Sequence, residues 1–119
     1  MDSTSTRPGI ISEPAAQKPA HILVCITPYP ANKAVIEQAA AAAEAFHAEF
    51  SAIYVERKHL GRLTKEAQRR LRENSRYASS RGASIQTMQG EDEAFLVAEF
   101  AKLCGATQIF LGGTTMSLS

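Results

Sequence analysis

Small and hydroxyl-bearing residues near the carboxyl terminus are the first candidates for chemistry in this chain. Gly112 and Gly113 directly follow the apolar segment Gln108–Leu111, and Thr114 and Thr115 come next. Two glycines let a phosphate group approach backbone amides, and threonine hydroxyls donate hydrogen bonds to phosphate oxygens. The same residues are also typical of an ordinary turn, and neither a Walker loop nor a three-glycine dinucleotide fingerprint is present. The motif alone leaves a phosphate site and a turn as alternatives.

Other apolar segments also end in residues that suit contact with a ligand. Thr27 offers a hydroxyl to a phosphate, and the rings of Tyr29 and Tyr54 are flat enough to stack on a base. Packing against neighbouring side chains is the alternative for Tyr54. The candidate nucleotide-binding residues are Thr27, Pro28, Tyr29, Tyr54, Val55, Gly90, Gly112, Gly113, Thr114 and Thr115.

Catalytic and metal-binding patterns are absent from the sequence. The carboxylates of residues 91–93 lie where a helix is expected to begin, which is typical of a cap on its positive end. No nucleophile has a neighbouring base, and Cys25 and Cys104 lie in apolar segments typical of buried thiols. The histidines that lack metal-ligand spacing are His21, His47 and His59. We therefore predict a protein that is not an enzyme, binds no metal and requires no cofactor.

A basic surface is predicted between residues 56 and 82, where nine basic residues outnumber three acidic ones although the whole chain carries a net charge of only +1. Six of the cations recur every three or four residues, which places them on one helix face. They are Lys58, Arg62, Lys65, Arg69, Arg72 and Arg76. The alternatives are a solvated face and a docking face for an acidic protein, for which we single out Arg62, Arg69 and Arg76. No aromatic residues are interleaved to bind nucleic acid.

Length and composition bound the architecture. A chain of 119 residues, 45% of them apolar, suits one domain with its own core. No segment reaches the roughly 18 apolar residues of a membrane span, and the amino terminus does not read as a secretory signal. We expect a cytoplasmic protein that does not insert into a membrane. Residues 1–20 show no regular period, which predicts a disordered tail or linker before a domain at 21–119.

Strand-like and helix-like patterns alternate from residue 21 onwards, which is typical of a doubly wound α/β fold with a parallel, Rossmann-like sheet. Strands are predicted at 21–27, 49–55, 84–88 and 108–111. Helices are predicted from an Asn32 cap to about His47, from Leu60 to Gly82, and from the turn at 90–92 to Gly105. Ligands of such sheets bind beyond the carboxyl ends of the strands, where the strand order reverses.

Three segments carry a family resemblance: residues 22–26 (ILVCI), 50–56 (FSAIYVE) and 71–74 (LREN), with Ala78 and Gly82 after the last. Over about residues 21–115 the chain resembles the universal stress protein family. It resembles in particular the universal-stress-protein-like domain of the osmosensitive potassium-channel sensor histidine kinases (Kdp type). The resemblance implies a five-stranded sheet of order 3-2-1-4-5 that binds ATP or another adenine nucleotide, and cyclic di-AMP in some Kdp-type members.

The chain departs from that family pattern in two loops. ATP-binding members usually carry an acidic residue just after the first strand, where this chain has Thr27, Pro28, Tyr29 and Pro30. Cyclic-dinucleotide members tend to have two serines at the positions of Thr27 and Tyr29. The family's glycine motif continues to a further Gly-Ser or Gly-Thr that this chain does not reach. We therefore expect a domain incomplete at its carboxyl terminus, with about four strands in the order 3-2-1-4.

Two functions from different classes are consistent with these observations. The resemblance implies a nucleotide-responsive regulatory or sensor domain that binds ATP or cyclic di-AMP in potassium or osmotic stress signalling. Its protein partners are then a second copy of the chain or the domains of a sensor kinase. The alternative is a ligand-free module that acts by dimerising or docking.

The fourth predicted strand raises one more expectation. In the order 3-2-1-4, Gln108–Leu111 is a sheet edge, and its side chains are too apolar for an exposed edge. We therefore expect the chain to self-associate through this edge, or to be only marginally stable. On that view Phe110→Lys raises the fraction of monomer.

Overall fold

A five-stranded sheet between two layers of helices forms the core of the computed structural model, which describes residues 19–112 and 114–118. The strands are β1 (His21–Cys25), β2 (Glu49–Glu56), β3 (Ser84–Gln89), β4 (Gln108–Leu111) and β5 (Thr114–Ser117). The helices are α1 (Asn32–Ala45), α2 (Lys65–Ser80) and α3 (Glu93–Cys104), and a short 3-10 helix spans Lys58–Leu60.

The strands are arranged across the sheet in the order β3-β2-β1-β4-β5. β1 pairs in parallel with β2 on one side and with β4 on the other, and β2 pairs in parallel with β3. These four strands, with a helix between each consecutive pair, confirm the predicted doubly wound α/β fold and the order 3-2-1-4. The strand order reverses at β1, so the crevice of interest lies beyond the carboxyl ends of β1 and its neighbours.

β5 corrects the expectation that β4 is an exposed sheet edge. The chain reverses after β4, and β5 pairs antiparallel with it, with Leu111 opposite Thr114 and Ile109 opposite Met116. Phe110 is only 8% exposed and belongs to the core. The expectation of an unpaired apolar edge is wrong because residues 114–117, which the sequence analysis assigned in part to a phosphate loop, occupy the fifth position of the sheet.

β1 lies at the centre of the core because helices cover both of its faces. Ile22 and Val24 pack with residues of α1 and α2, whereas Leu23 and Cys25 pack with residues of α3. All five residues of the strand are buried. This explains why β1 is a continuous apolar segment in the sequence instead of alternating with polar residues.

The caps of α1 and α3 differ in how well the sequence predicts them. α3 begins after Asp92, whose carboxylate accepts a hydrogen bond from the Phe95 N–H (3.0 Å), and ends at Gly105 in the left-handed conformation. Both ends of α3 match the prediction. The prediction that Asn32 caps α1 is wrong, because Ala31 occupies the N-cap position and makes no side-chain hydrogen bond there.

α2 begins later than its apolar stripe predicts. The Thr64 hydroxyl accepts a hydrogen bond from the Ala67 N–H (3.1 Å), and the helix runs from Lys65 onwards. The preceding 3-10 helix is separate, and Gly61, at φ +85°, ends it in a conformation that favours glycine. The residues between β2 and α2 therefore form an irregular segment that borders the crevice.

Two expectations concern regions beyond the core. Among the described residues, no helix is both long and apolar enough to cross a membrane. Residues 1–18 of the predicted tail lie outside the described residues, so the tail stays a prediction.

Phe110→Lys tests the corrected position of β4. Because Phe110 lies in the core, we expect an unpaired buried charge and a lost aromatic side chain to lower the free energy of unfolding by at least about 3 kcal/mol. Leu103→Lys is the matched control, since Leu103 is 80% exposed, and its effect should stay below about 0.5 kcal/mol. Urea denaturation measures both. A stable Phe110→Lys protein with a larger monomer fraction would contradict the buried position of Phe110 and support the expectation that β4 is an exposed edge.

Candidate functional site

An open cleft of about 780 Å³ lies beyond the carboxyl ends of β1 and β2, where the strand order predicts a ligand site. The loop after β1, the end of β2, the irregular segment before α2, two residues of α2 and one residue of α3 surround it. Its lining includes Ile26, Thr27, Pro28, Tyr29, Tyr54, Val55, Glu56, Arg57, Lys58, Arg62, Leu63, Gln68, Leu71 and Glu93.

One asparagine side chain closes the loop after β1. The Asn32 amide donates to the Cys25 carbonyl (2.9 Å), and its oxygen accepts from the Thr27 N–H (3.0 Å). Asn32 is 3% exposed. The Asn32 side chain therefore bonds two backbone groups at the end of β1, the Cys25 carbonyl and the Thr27 N–H, that would otherwise need other partners. Because the side chain is engaged there, it does not cap α1.

α2 holds the same loop from the other side. The Asn74 amide donates to the carbonyls of Thr27 (2.8 Å) and Tyr29 (3.3 Å), and the Arg70 Nε donates to the carbonyl of Pro28 (2.7 Å). Three consecutive carbonyls thus point to donors on α2, and Asn74 is buried. Sequence analysis noted Asn74 only within a family-like segment. The signal it missed is the four-residue spacing of Arg70 and Asn74, which puts both polar groups on one face of the helix.

Two tyrosines line the cleft. Tyr29 is 68% exposed at the tip of the loop, whereas Tyr54 is half-buried on β2. Burial raises the pKa of the Tyr54 phenol, and the neighbouring carboxylates of Glu56 and Glu93 raise it further. The Tyr54 phenol therefore stays protonated at neutral pH, so the cleft contains a neutral ring and a hydroxyl donor.

The remaining polar residues put charges of both signs on the cleft lining. Arg57, Lys58 and Arg62 line it between β2 and α2, and the carboxylates of Glu56 and Glu93 line it near Tyr54. The sequence analysis took residues 91–93 together as a helix cap. In the structure the capping residue is Asp92, and Glu93 faces the cleft.

Arg57 stands out because its Nε is buried and has no hydrogen-bond partner among the described residues. Buried polar groups nearly always have a partner, and a charged group without one is costly. In the sequence, Arg57 is only one of the nine basic residues between residues 56 and 82.

Five of the predicted nucleotide-binding residues lie together in the cleft, and Gly90 and Gly112 do not line it. The five are Thr27, Pro28, Tyr29, Tyr54 and Val55. Gly90 donates its N–H to the Glu56 carbonyl (3.1 Å), and a Cβ there would lie 2.5 Å from Leu96 Cδ1. Gly90 is therefore explained by packing of the chain that enters α3.

Gly112 also lies outside the cleft lining. Gly112 is exposed, Gly113 lies outside the described residues, and Thr114 and Thr115 belong to β5, where their backbones pair with β4. The side chains of both threonines lie outside the described residues. Of the two alternatives the sequence left open, the described residues here form a strand reversal, and phosphate binding by this turn stays a prediction.

The three residues singled out for docking lie in different settings. Arg62 lines the cleft, Arg69 pairs with Glu66 and Glu73 on its own helix, and Arg76 is exposed. The basic face is therefore solvent-accessible, but part of its charge is balanced within α2. Docking of a protein partner on it stays a prediction.

Outside the cleft, the structure gives weaker support for a ligand site or a metal site. A second concavity, of about 590 Å³, lies at the amino ends of the strands, where His47, Glu49 and Arg81 border it. In the part of the chain that the structure describes, no group of three or more His, Cys, Asp or Glu side chains is arranged to hold a metal ion.

Both cysteines lie in the core beside β1 and α3. Both are free; Cys25 is buried and Cys104 is half-buried. Burial, with a contribution from Glu93, raises the pKa of the Cys25 thiol to about 12, and burial also raises the pKa of Cys104. The Cys25 thiolate is thus scarce at neutral pH, which leaves it unsuited to nucleophilic chemistry although it lies close to the cleft.

Comparison with known proteins finds relatives both in sequence and in structure. No protein-family model matches the chain. A sensor protein KdpD of Clostridium acetobutylicum is 33% identical over 92 residues, which make up 76% of this chain and 10% of the sensor. A universal stress protein solved in complex with cAMP superposes with a TM-score of 0.52 and 17% identity, over 76% of this chain and 69% of its own.

The structural match defines the class, because this chain and the solved protein share the fold of the universal stress proteins. The sequence match then makes the chain a universal-stress-protein-like domain related to a segment of the KdpD sensors. Both findings confirm the resemblance drawn from the sequence. The chain spans about one tenth of the KdpD sensor that it matches.

Asn74→Asp tests the role of α2 in shaping the cleft. The substitution preserves shape but places a carboxylate against two carbonyl oxygens, so we expect the free energy of unfolding at neutral pH to fall by about 2 kcal/mol or more. Amide hydrogen exchange of residues 27–30 should accelerate. Ser79→Ala, on the exposed side of the same helix, should change neither quantity. Unchanged exchange in Asn74→Asp would mean that the loop keeps its shape without α2.

Alkylation of the native protein tests the cysteine assignment. At pH 8, below the ordinary thiol pKa, we expect iodoacetamide to modify Cys25 at least a hundredfold more slowly than in the unfolded chain, because it is buried and protonated. Cys104 should be less protected, and mass spectrometry distinguishes the two. Folding raises the pKa of the Cys25 thiol, so this group should lower the free energy of unfolding only as the pH rises above about 9, where the unfolded chain loses the thiol proton. Rapid modification of Cys25 would contradict the structure at the end of β1.

Proposed function

We propose that the chain is a nucleotide-responsive regulatory domain that binds an adenine nucleotide, ATP or cyclic di-AMP, in the cleft beyond β1 and β2. The observation that carries the proposal is the combination of surfaces in that cleft. A half-buried aromatic ring and three cations, Arg57, Lys58 and Arg62, line one open volume. Aromatic surface suits a base and cations suit phosphates, so the same cleft suits both parts of a nucleotide.

The proposal that the base is adenine rests more on the related proteins than on any single contact in the cleft. The universal stress protein that shares this fold was solved in complex with cAMP. The Tyr54 ring is held on β2 and can take a base on its face, and the exposed Tyr29 ring lines the same cleft. The hydroxyl of Thr27 and the carboxylate of Glu93 are polar partners for a ribose or a base edge.

A regulatory role in potassium or osmotic stress signalling, in the cytoplasm, is supported by the relation to a KdpD sensor. On this proposal the nucleotide alters how the domain contacts the domains of a sensor kinase, and the domain catalyses no reaction. The protonated Cys25 thiol and the pairing of charged groups within α2 favour binding over nucleophilic catalysis.

Calorimetric titration with ATP and cyclic di-AMP tests the binding proposal. We expect saturable heat with at least one of them, and protein purified without added ligand should carry excess absorbance near 260 nm where the nucleotide stays bound. The chain contains no tryptophan, so nucleotide absorbance is easily detected. Absence of heat at millimolar concentrations of both nucleotides would contradict the proposal.

A pair of tyrosine variants locates that binding. Tyr54→Leu removes the ring in the cleft, and we expect affinity to fall about tenfold, since stacking on a base contributes about 1–3 kcal/mol. Tyr77→Leu is the control, because Tyr77 packs on α2 near Lys33 and Arg81, away from the cleft. Equal losses in both variants would indicate a general effect on folding instead.

The docking alternative has its own support in the exposed basic face of α2. Lys65, Arg72 and Arg76 are exposed and form no ion pair within the part of the chain that the structure describes. A second function of the domain is therefore electrostatic docking to an acidic protein surface, with sensor-kinase domains as the candidate partner.

Charge reversal of this face tests docking without disturbing the cleft. Arg72→Glu and Arg76→Glu together should weaken binding to the kinase segment of a KdpD sensor at least tenfold at low salt, while the unfolding free energy changes by less than about 1 kcal/mol. Lys102→Glu on α3, also exposed, is the control. Biolayer interferometry at two ionic strengths measures the effect. If neither the variants nor the salt concentration changes the affinity for the kinase segment, the basic face of α2 is excluded as the docking surface.

A further inference from the structure

β3 is the outermost strand on its side of the sheet. It pairs in parallel with β2 from Ser84 to Gln89, and no strand of the described residues pairs with its other side. All of its residues except the half-buried Met88 are exposed, and Ile85 is 39% exposed. The two helix layers therefore leave this strand largely uncovered.

The composition of β3 lacks the features by which edge strands usually avoid pairing with another chain. Such strands carry charged side chains or proline, contain a bulge, or are very short. The sequence of β3, SIQTMQ, has neither a charged residue nor a proline, and its register with β2 is continuous over six residues. A further strand can therefore pair with β3 without meeting a charge on it.

The hydrogen bonds of the sheet show which residues of β3 have outward backbone groups. The Gly90 N–H donates to the Glu56 carbonyl (3.1 Å), so Gly90 faces β2. In a parallel ladder every second residue directs both its N–H and its C=O to the same neighbouring strand. Counting back from Gly90, the even-numbered residues of β3 face β2 and the odd-numbered residues face outward. The outward residues are Ile85, Thr87 and Gln89.

A second copy of the chain offers a matching edge when the two β3 strands run antiparallel about a two-fold axis. With the axis at Thr87, the two Thr87 residues lie opposite each other, and Ile85 lies opposite the partner's Gln89. These three pairs of outward residues exchange about six backbone hydrogen bonds. The next symmetric register toward the start of the strand would use Ala83, whose N–H already donates to the Ala78 carbonyl (3.0 Å). The register centred on Thr87 is therefore favoured.

Charges beyond the two ends of β3 favour the same antiparallel arrangement. Arg81 precedes the strand, and Glu91 and Asp92 follow it. Antiparallel pairing places each end of β3 beside the opposite end of the partner's strand, so the basic end lies near the acidic end. Parallel pairing would instead bring like charges together.

We propose that the chain forms a symmetric dimer through antiparallel pairing of β3 with the β3 strand of a second copy. The five strands of each copy then form one continuous sheet. The two nucleotide clefts lie at opposite ends of that sheet, because the strands of the two copies run in opposite directions. No residue of β3 lines the cleft, so the dimer does not depend on the proposed function.

Sedimentation equilibrium of the full chain tests the dimer. Thr87→Lys and Thr87→Glu each place two like charges opposite each other at the axis, so we expect either variant to raise the dissociation constant of the dimer at least tenfold. An equimolar mixture of the two variants should recover affinity to within about threefold of wild type, because opposite charges then face each other. Gln38→Lys, at an exposed position of α1, controls for an added charge and should change the dissociation constant less than twofold.

Thr87→Cys gives an independent measurement that also serves if a charge variant does not fold. Residues opposite each other in a hydrogen-bonded pair have Cα atoms about 5.5 Å apart, a separation that a disulfide can span. We therefore expect mild oxidation to link Thr87→Cys chains through residue 87, and Gln38→Cys chains to stay unlinked. A wild-type chain that is monomeric at millimolar concentration overturns the proposal. A dimer that neither charge variant weakens, or variants that do not recover on mixing, overturn it as well.

Discussion

The three carbonyl groups of Thr27, Pro28 and Tyr29 and their donors on α2 are the contact on which the shape of the site depends. Loops at the carboxyl ends of parallel strands leave backbone acceptors without partners, and these must be satisfied before the loop can have one shape. Asn74 and Arg70 supply the donors from α2, and Asn32 closes the loop from within. The same bonds fix the position of α2 against β1. The cleft between that loop and the end of β2 is therefore built into the packing of the domain.

The cleft combines this fixed wall with an aromatic ring and charged groups. Burial and the carboxylates of Glu56 and Glu93 keep the pKa of Tyr54 high, so its ring remains neutral. Arg57, Lys58 and Arg62 line the same cleft. A nucleotide likewise joins a neutral planar base to anionic phosphates, so the cleft contains surfaces suited to both parts. Departure from the family's acidic residue after β1 is compatible with this arrangement, because Glu93 supplies a carboxylate from α3.

β1 and β4 could be predicted from the sequence because they are short continuous apolar segments, and burial leaves a strong signal there. The prediction of Gln108–Leu111 matches the strand to the residue, and the capping residues of α3 indicate both of its ends. β5 could not be predicted in this way because its residues are few and polar, and pairing with β4 is a tertiary contact that leaves no local period. The role of Asn74 has a similar cause, since its partners lie more than 40 residues away in the sequence. The partners of Asn32 are close in sequence, but they belong to the end of β1 instead of the first turn of α1, so a helix cap is the simpler prediction.

The central claim is that the cleft beyond β1 and β2 holds the nucleotide. Intermolecular nuclear Overhauser effects between the adenine protons of ATP and assigned side chains of the domain test it most directly. The account predicts contacts from the adenine H2 or H8 proton to the ring protons of Tyr54, with contacts to the Tyr29 ring that lines the same cleft. Contacts instead to side chains bordering the concavity at the amino ends of the strands, or to Gly112, would contradict it.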